Sequence, residues 1–207
     1  MIAPVALPKL APFRVHEVGG AGASAFAFAM ARQGAGPVLW IGPAHGTERL
    51  LPAGVACLLP CSRLIVVQAG DEADLLWSAE DALRSGAVGF VIAAPQKPLS
   101  LTAGRRLQLA AEAGRSTGLL IIRDGMGSNA AQTRWHCAPE WGAPESDAPE
   151  WDAPELHGRD STLQRWSLTK NKEGTLGDWC VGWNEKARAI CVVSPVGQRR
   201  EAAQAAL

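Results

Sequence analysis

The chain has 207 residues, 47% of them hydrophobic and 19% charged. That is enough apolar material for a sizeable core, rules out whole-chain disorder, and suits one domain with an appendage. Twenty basic residues balance twenty acidic ones, which argues against nucleic-acid binding by bulk charge and leaves only a local basic patch open. No apolar run reaches the roughly 18 residues of a membrane helix. Met1 to Leu10, with one charge at Lys9 and prolines at Pro4 and Pro8, lacks the basic start and apolar stretch of a signal peptide. The five cysteines are odd in number and include no Cys-x-x-Cys pair, so they read as reduced thiols of a cytoplasmic protein. Cys57 and Cys61 lack the further ligands that would complete a zinc site.

Up to about residue 125 the chain alternates between two periods. Val15 to Val18 reads as a first strand, followed by a glycine-rich turn. Val38 to Ile41, Arg63 to Val67, Val88 to Ile92 and Leu119 to Ile122 are short apolar runs rich in β-branched residues, the pattern of strands buried on both faces. Helical patterns lie between them. Ala23 to Arg32 places Phe26 and Met30 on one face. Asp74 to Ser85 gathers Leu75, Leu76, Ala79, Ala82 and Leu83, with Gly86 as a stop. Ala103 to Arg115 turns Leu107, Ala110, Ala111 and Gly114 inward, behind a cap at Ser100 or Thr102. Strand and helix in alternation give a mostly parallel sheet covered on both sides, with right-handed crossovers.

After residue 130 the character changes. Ala138-Pro139-Glu140 recurs at 143, 148 and 153, and six acidic residues with no basic one lie between His136 and His157. A proline at every fifth position forbids a helix or a central strand, so an extended acidic loop is expected. Leu163 to Thr169 and Trp179 to Trp183 alternate like half-exposed strands, and Ala189 to Val193 is more continuously apolar. Gln132 to Val193 therefore reads as an antiparallel extension of the sheet, interrupted by the acidic loop. Gln198 to Leu207 reads as a short terminal helix.

The chemistry turns on the first loop, Gly19 to Ala27. Strand, glycines and helix start follow in the order of a phosphate-binding loop. Such a loop needs glycines to let backbone N–H groups wrap phosphate, a lysine on the terminal phosphates and a hydroxyl on magnesium. Counted from Gly20, through Gly22, the second glycine falls at Ala25, the lysine at Phe26 and the hydroxyl at Ala27. The glycines then serve a tight strand-to-helix turn. The helix N-terminus alone offers an anion about 0.3–1 kcal/mol, far short of holding a nucleotide.

Ala82 to Val88 followed by Phe90-Val91-Ile92 resembles the segment of RecA-like ATPases that leads into their magnesium-binding strand. That resemblance places the magnesium aspartate at Ala94 and the water-activating glutamate near Ala44, so lysine, hydroxyl and both carboxylates are absent together. Closer still is the ImuA family, accessory proteins of bacterial translesion mutagenesis. The chain resembles it at Arg14 to Val18, Val38 to Ile41, Arg63 to Ile65, Trp77 to Val88, Leu101 to Glu112 and Thr133 to Trp135, and Trp166 and Trp179 to Trp183 look like the family's terminal strands. Leu-Thr-Ala-x-Arg-Arg-Leu-Gln-Leu-Ala is the most specific piece, and the Ala-Pro-Glu repeat departs from the family as an insertion. The resemblance implies an extended segment 1–12, a RecA-like pseudo-ATPase core 13–137, the repeat 138–158 and sheet-completing strands with a tail 159–207. It further implies a cofactor-free adaptor of damage-induced synthesis that binds ImuB, RecA or both. The same superfamily includes SulA, so a cell-division inhibitor binding FtsZ is the alternative, and a single-stranded DNA binder a further one.

Surface candidates follow from residue type. Arg105 and Arg106 are adjacent and could meet an acidic partner or DNA phosphates, or stand as a solvated helix face. Trp141 and Trp151 sit within the acidic repeat, where exposed tryptophan would suit a binding hot spot. Trp40 and Trp77 read as core. His16, His45, His136 and His157 show no metal-ligand spacing, and no nucleophile elbow occurs.

Overall fold

A computed structural model describes residues 7–45, 50–140, 163–184 and 187–200, the last seven by backbone alone. The elements in chain order are β1 (Val15–Gly19), α1 (Ala23–Gln33), β2 (Val38–Pro43), α2 (Pro52–Leu58), β3 (Leu64–Ala69), α3 (Glu72–Ser85), β4 (Phe90–Ala93), α4 (Leu101–Gly114), β5 (Thr117–Ile121), β6 (Thr133–Pro139), β7 (Gln164–Asn171), β8 (Thr175–Asn184) and β9 (Ala189–Arg200). A 3-10 turn over Cys61–Arg63 leads into β3.

The strands form one nine-stranded sheet in the order β3-β2-β4-β5-β1-β6-β7-β8-β9. The first six in that order are parallel and β6 to β9 are antiparallel. The expected mixed sheet flanked by helices is therefore present, with one shift. β6 joins β1 in parallel and turns antiparallel only toward β7, so the extension starts one strand later than the sequence suggests. The reason lies in the chain before it. The helix-free stretch from Arg123 to Gln132 returns along the sheet to the amino end of β1, where Gln132 donates its N–H to the carbonyl of Val15.

Each face has its own core. One is built by α1 and α2 with Phe26, Phe28, Trp135, Trp166 and Val181. The other is built by α3 and α4 with Leu75, Leu83, Leu107 and Leu120. The caps follow from local chemistry. The Asp71 carboxylate accepts the Asp74 N–H at 2.9 Å and Ser100 Oγ accepts that of Ala103 at 3.1 Å. Gly86 closes α3 in the left-handed region, at φ 69°.

Four local expectations change. β3 is a sheet edge rather than a doubly buried strand, so Ile65 and Val66 stand 49% and 53% exposed. Trp77 is 66% exposed on the outer side of α3, two positions from the inward Leu75, not core. Trp40, by contrast, packs against the core as expected, parallel to Phe28 at a ring distance of 5.3 Å. Gln198 to Arg200 continue β9 instead of opening a helix, and residues 201–207 lie outside the described set. β6 runs through Pro139, the first proline of the repeat, at the strand end where its missing N–H is harmless.

Candidate functional site

The glycine turn after β1 is packed against β6. Gly20 has φ 87°, and a β-carbon there would run into the Cys137 carbonyl. Gly22 donates its N–H to that carbonyl at 2.9 Å, and a β-carbon on it would meet the Gln164 carboxamide. Ala23 and Phe26 bond back to Gly20 and Gly22, at 3.1 and 3.0 Å. The glycines are thus required by close approach of the chain itself. Burial pushes the neighbouring Cys137 thiol far up, so it stays neutral.

Ala25 is half-buried, and Phe26 and Ala27 are fully buried. The Phe26 ring lies 5.1 Å from that of Trp135 and 4.8 Å, edge-on, from that of Trp166. Burying such a ring contributes about 1.5–3 kcal/mol, and the aromatic pairs add to it. The side chain at this position is committed to the core between α1 and the antiparallel strands.

Ala44 and Ala94 lie at the carboxyl ends of β2 and β4. Their N–H groups extend the ladder, to Ala69 and Ile41 carbonyls at 2.8 and 3.0 Å. Both line a cavity of about 640 Å³ together with Trp40, Leu64, Val66, Cys61 and Arg123. The chain leaves β2 toward α2 on one face and leaves β4 toward α4 on the other. That divergence opens a crevice, the usual place for ligands in an open α/β sheet. Arg123 and Gln96 on its rim are joined at 2.5 Å, and the Glu72 carboxylate holds the Gln96 N–H at 2.9 Å.

The surface candidates separate. Arg106 is tied to Glu80 at 2.6 Å, as is Arg84. Desolvation would raise the Glu80 carboxyl, but the hydrogen bonds from the two arginines outweigh it and hold it below the ordinary carboxylate range. Arg105 is exposed and makes no ion pair among the described residues. Trp141 and Trp151 lie outside the described residues, so the geometry unites neither with the arginines. His16 is wholly buried, with Nδ1 2.7 Å from Thr133 Oγ1 and Nε2 2.9 Å from the Ala11 carbonyl. Burial pushes its pKa down to about 4 against the raising effect of that carbonyl. Among the described residues no group of three or more His, Cys, Asp or Glu could hold a metal, and no helix is long and apolar enough to cross a membrane. The crevice itself was missed in the sequence. Its one available signal was a lone arginine directly after the run Leu119 to Ile122.

ImuA of Caulobacter vibrioides, in strains NA1000 / CB15N and ATCC 19089 / CIP 103742 / CB 15, is 34% identical to this chain over 155 residues. The chain is similar to ImuA over that stretch. The match takes in 64% of this chain, which spans 62% of the length of those ImuA proteins. No protein-family profile matches the chain. Among solved structures the RadB recombinase superposes with a TM-score of 0.61 at 12% identity, over 87% of this chain and 90% of its own. The chain therefore has a RecA-like fold. SulA from Pseudomonas aeruginosa is 24% identical over 53% of this chain and 97% of its own, with a TM-score of 0.44.

Proposed function

We infer that this chain is a RecA-like adaptor without nucleotide chemistry, acting in DNA-damage-induced translesion synthesis by binding an ImuB-like protein, RecA or both. The observation that carries the reading is Phe26. At the position where a phosphate-binding loop needs its lysine stands a ring buried between Trp135 and Trp166. A lysine there would have to leave the core, and the N–H of Gly22 is already bonded to Cys137. With alanines at positions 44 and 94, neither metal nor water would find its carboxylate. The kinship with ImuA supplies the biological setting.

An adaptor works by surface. The β3 edge, with Ile65 and Val66 exposed, is one edge of the sheet open to another protein. The test is capture on the immobilised chain of purified ImuB, RecA and FtsZ, with calorimetry against magnesium ATP in parallel. Retention of ImuB or RecA, and no ATP binding at micromolar concentration, is the expected result. Capture of FtsZ alone, or micromolar ATP affinity, overturns the reading.

A further inference from the structure

The crevice at the carboxyl ends of β2, β3 and β4 has a composition that names its occupant. One wall is apolar. Trp40 and Val66 are direct partners in the β2–β3 register, with Leu64 two residues before Val66 on the same strand and Val55 of α2 closing the side. The floor is small, formed by Gly42, Pro43, Ala44 and Ala94. At the far rim stands Arg123, the one cation among the described lining residues. It is exposed, its only described side-chain hydrogen bond goes to the neutral Gln96, and no described carboxylate pairs with it. The adjacent Asp124 lies beside Gly19, away from the lining. A guanidinium with unused forked donors beside an aromatic and aliphatic wall fits an apolar group that carries a carboxylate a few ångströms away.

The shape favours a peptide over a small metabolite. The cavity is not closed. Val66 and Gln68 belong to it and also to the outermost strand of the sheet, whose outer backbone groups have no strand partner among the described residues. An extended chain lying along that side can place alternate side chains into the crevice, whereas a free small molecule would leave much of its surface wet. The volume of about 640 Å³ suits one large side chain with its flanking backbone.

We propose that this crevice is a docking groove for an extended acidic peptide segment, which seats an apolar or aromatic side chain against Trp40 and Val66 and sets a carboxylate on Arg123. The proposal deepens the adaptor reading and rests on it for the source of the peptide, which is a partner protein. The site lies on the α2 side of the sheet and makes no use of the glycine turn.

Cys61 provides the readout. It is an exposed thiol in the groove wall, while Cys57 is also exposed but lies outside the lining. The probes are acetyl-Gly-Thr-Val-Phe-Glu amide, the same peptide with glutamine for glutamate, and acetyl-Gly-Thr-Val-Phe with a free carboxyl end. The last tells a chain terminus from an acidic side chain. The full chain is treated with N-ethylmaleimide with and without each peptide, and modification at the two thiols is followed by mass spectrometry. The expected result is that the glutamate peptide slows alkylation at Cys61 and not at Cys57, and does so at lower concentration than the free-carboxyl peptide. The glutamine peptide should need at least about tenfold higher concentration, as befits loss of a charge-assisted pair. Arg123→Gln should erase that difference and Arg123→Lys restore part of it. Because Arg123 is exposed, these variants keep the fold, checked by an unchanged melting temperature.

Equal protection by the glutamate and glutamine peptides, no protection at millimolar concentration, or indifference to Arg123→Gln each overturns the groove. Failure of the two readings is distinguishable. If whole ImuB or RecA is captured equally by wild type and Arg123→Gln while the peptides fail, the groove falls and the adaptor stands. If the peptides bind with the stated Arg123 dependence while neither protein is captured, the groove stands and the adaptor reading falls.

Discussion

Glu17 and Arg134 face each other across the parallel β1–β6 pair, with Oε2 of one 2.8 Å from Nε of the other. Glu17 is almost wholly buried, and its second oxygen accepts the Ser128 N–H at 2.8 Å. Arg134 in turn donates to the Ser128 carbonyl at 3.0 Å, and Lys170 reaches the same carbonyl from β7. One ion pair therefore pins the helix-free crossover between β5 and β6 onto the sheet. Glu17→Ala would leave the Arg134 Nε and the Ser128 N–H without their acceptor, at about 3 kcal/mol, the low end for a broken buried pair because Arg134 is partly exposed. Glu17→Gln should cost less, since it keeps one acceptor. Urea denaturation at neutral pH measures both. A loss under 1 kcal/mol for Glu17→Ala would mean the pair does not hold the crossover.

His16 predicts a pH dependence. Its pKa falls from 6.5 in the unfolded chain to about 4 in the folded one, so the unfolded state takes up the proton first. The stability linked to neutral His16 is fully present above pH 6.5 and is lost progressively between pH 6.5 and about 4. Over that window the loss approaches about 3 kcal/mol. The urea midpoint should decline accordingly in wild type. In His16→Gln, less stable throughout, this part of the slope should vanish. An identical slope in the two proteins would assign the acid sensitivity to other groups.

Phe26 and Gly20 test whether the glycine turn is structural. Phe26→Ala removes a ring packed on two tryptophans and should cost about 3–5 kcal/mol. Phe26→Lys restores the residue type of a phosphate-binding loop but puts a charge in that core, so it should unfold more readily than Phe26→Ala and gain no affinity for ATP. Gly20→Ala, strained at φ 87° and aimed at the Cys137 carbonyl, should destabilise by more than 1 kcal/mol. Thermal melts rank the three variants. A stable Phe26→Lys that binds magnesium ATP would contradict the packing argument.

What the sequence made legible was what local period encodes. Buried β-branched runs gave β2, β4 and β5, and the spacing of Leu75, Ala79 and Leu83 gave α3, because side-chain periodicity follows directly from burial on one side or two. α2 escaped because Pro52-Ala53-Gly54-Val55 is short and buries only Val55. The β3 edge escaped because Ile65 and Val66 have the composition of a central strand and only the sheet order leaves them bare. Neighbour relations are set by the path of the chain between strands, so the parallel β1–β6 pairing was invisible. For the same reason Glu17 read as one polar residue in a strand, and Arg123 as one loop arginine. The loss of chemistry at Ala25, Phe26 and Ala27 was legible as residue type, while the ring's seat between two tryptophans from distant strands was not.

The Arg84–Glu80–Arg106 cluster gives a prediction in the opposite direction from the Glu17 pair. Glu80 Oε1 and Oε2 each receive one guanidinium at 2.6 Å, from its own helix and from α4. Both arginines are more than half exposed while Glu80 is only 10% exposed. Solvent screens the pairs, so Arg106→Ala alone should cost under about 1 kcal/mol, and less at 1 M salt. Removing both arginines is different in kind, because the sheltered carboxylate then faces only its desolvation. The double variant Arg84→Ala/Arg106→Ala should lose more than the sum of the single losses. The carboxyl of Glu80 should also rise from below the ordinary carboxylate range to above it, as burial alone dictates. A folded pKa held low gives stability present above the unfolded value and lost as acid titrates the group. That loss at acid pH should therefore be seen in wild type and reverse sign in the double variant. Carboxyl NMR titration of Glu80, alongside the double-mutant cycle, reads both. Strict additivity with an unmoved Glu80 would show that the two helices are held together by Leu83 and Leu107 alone.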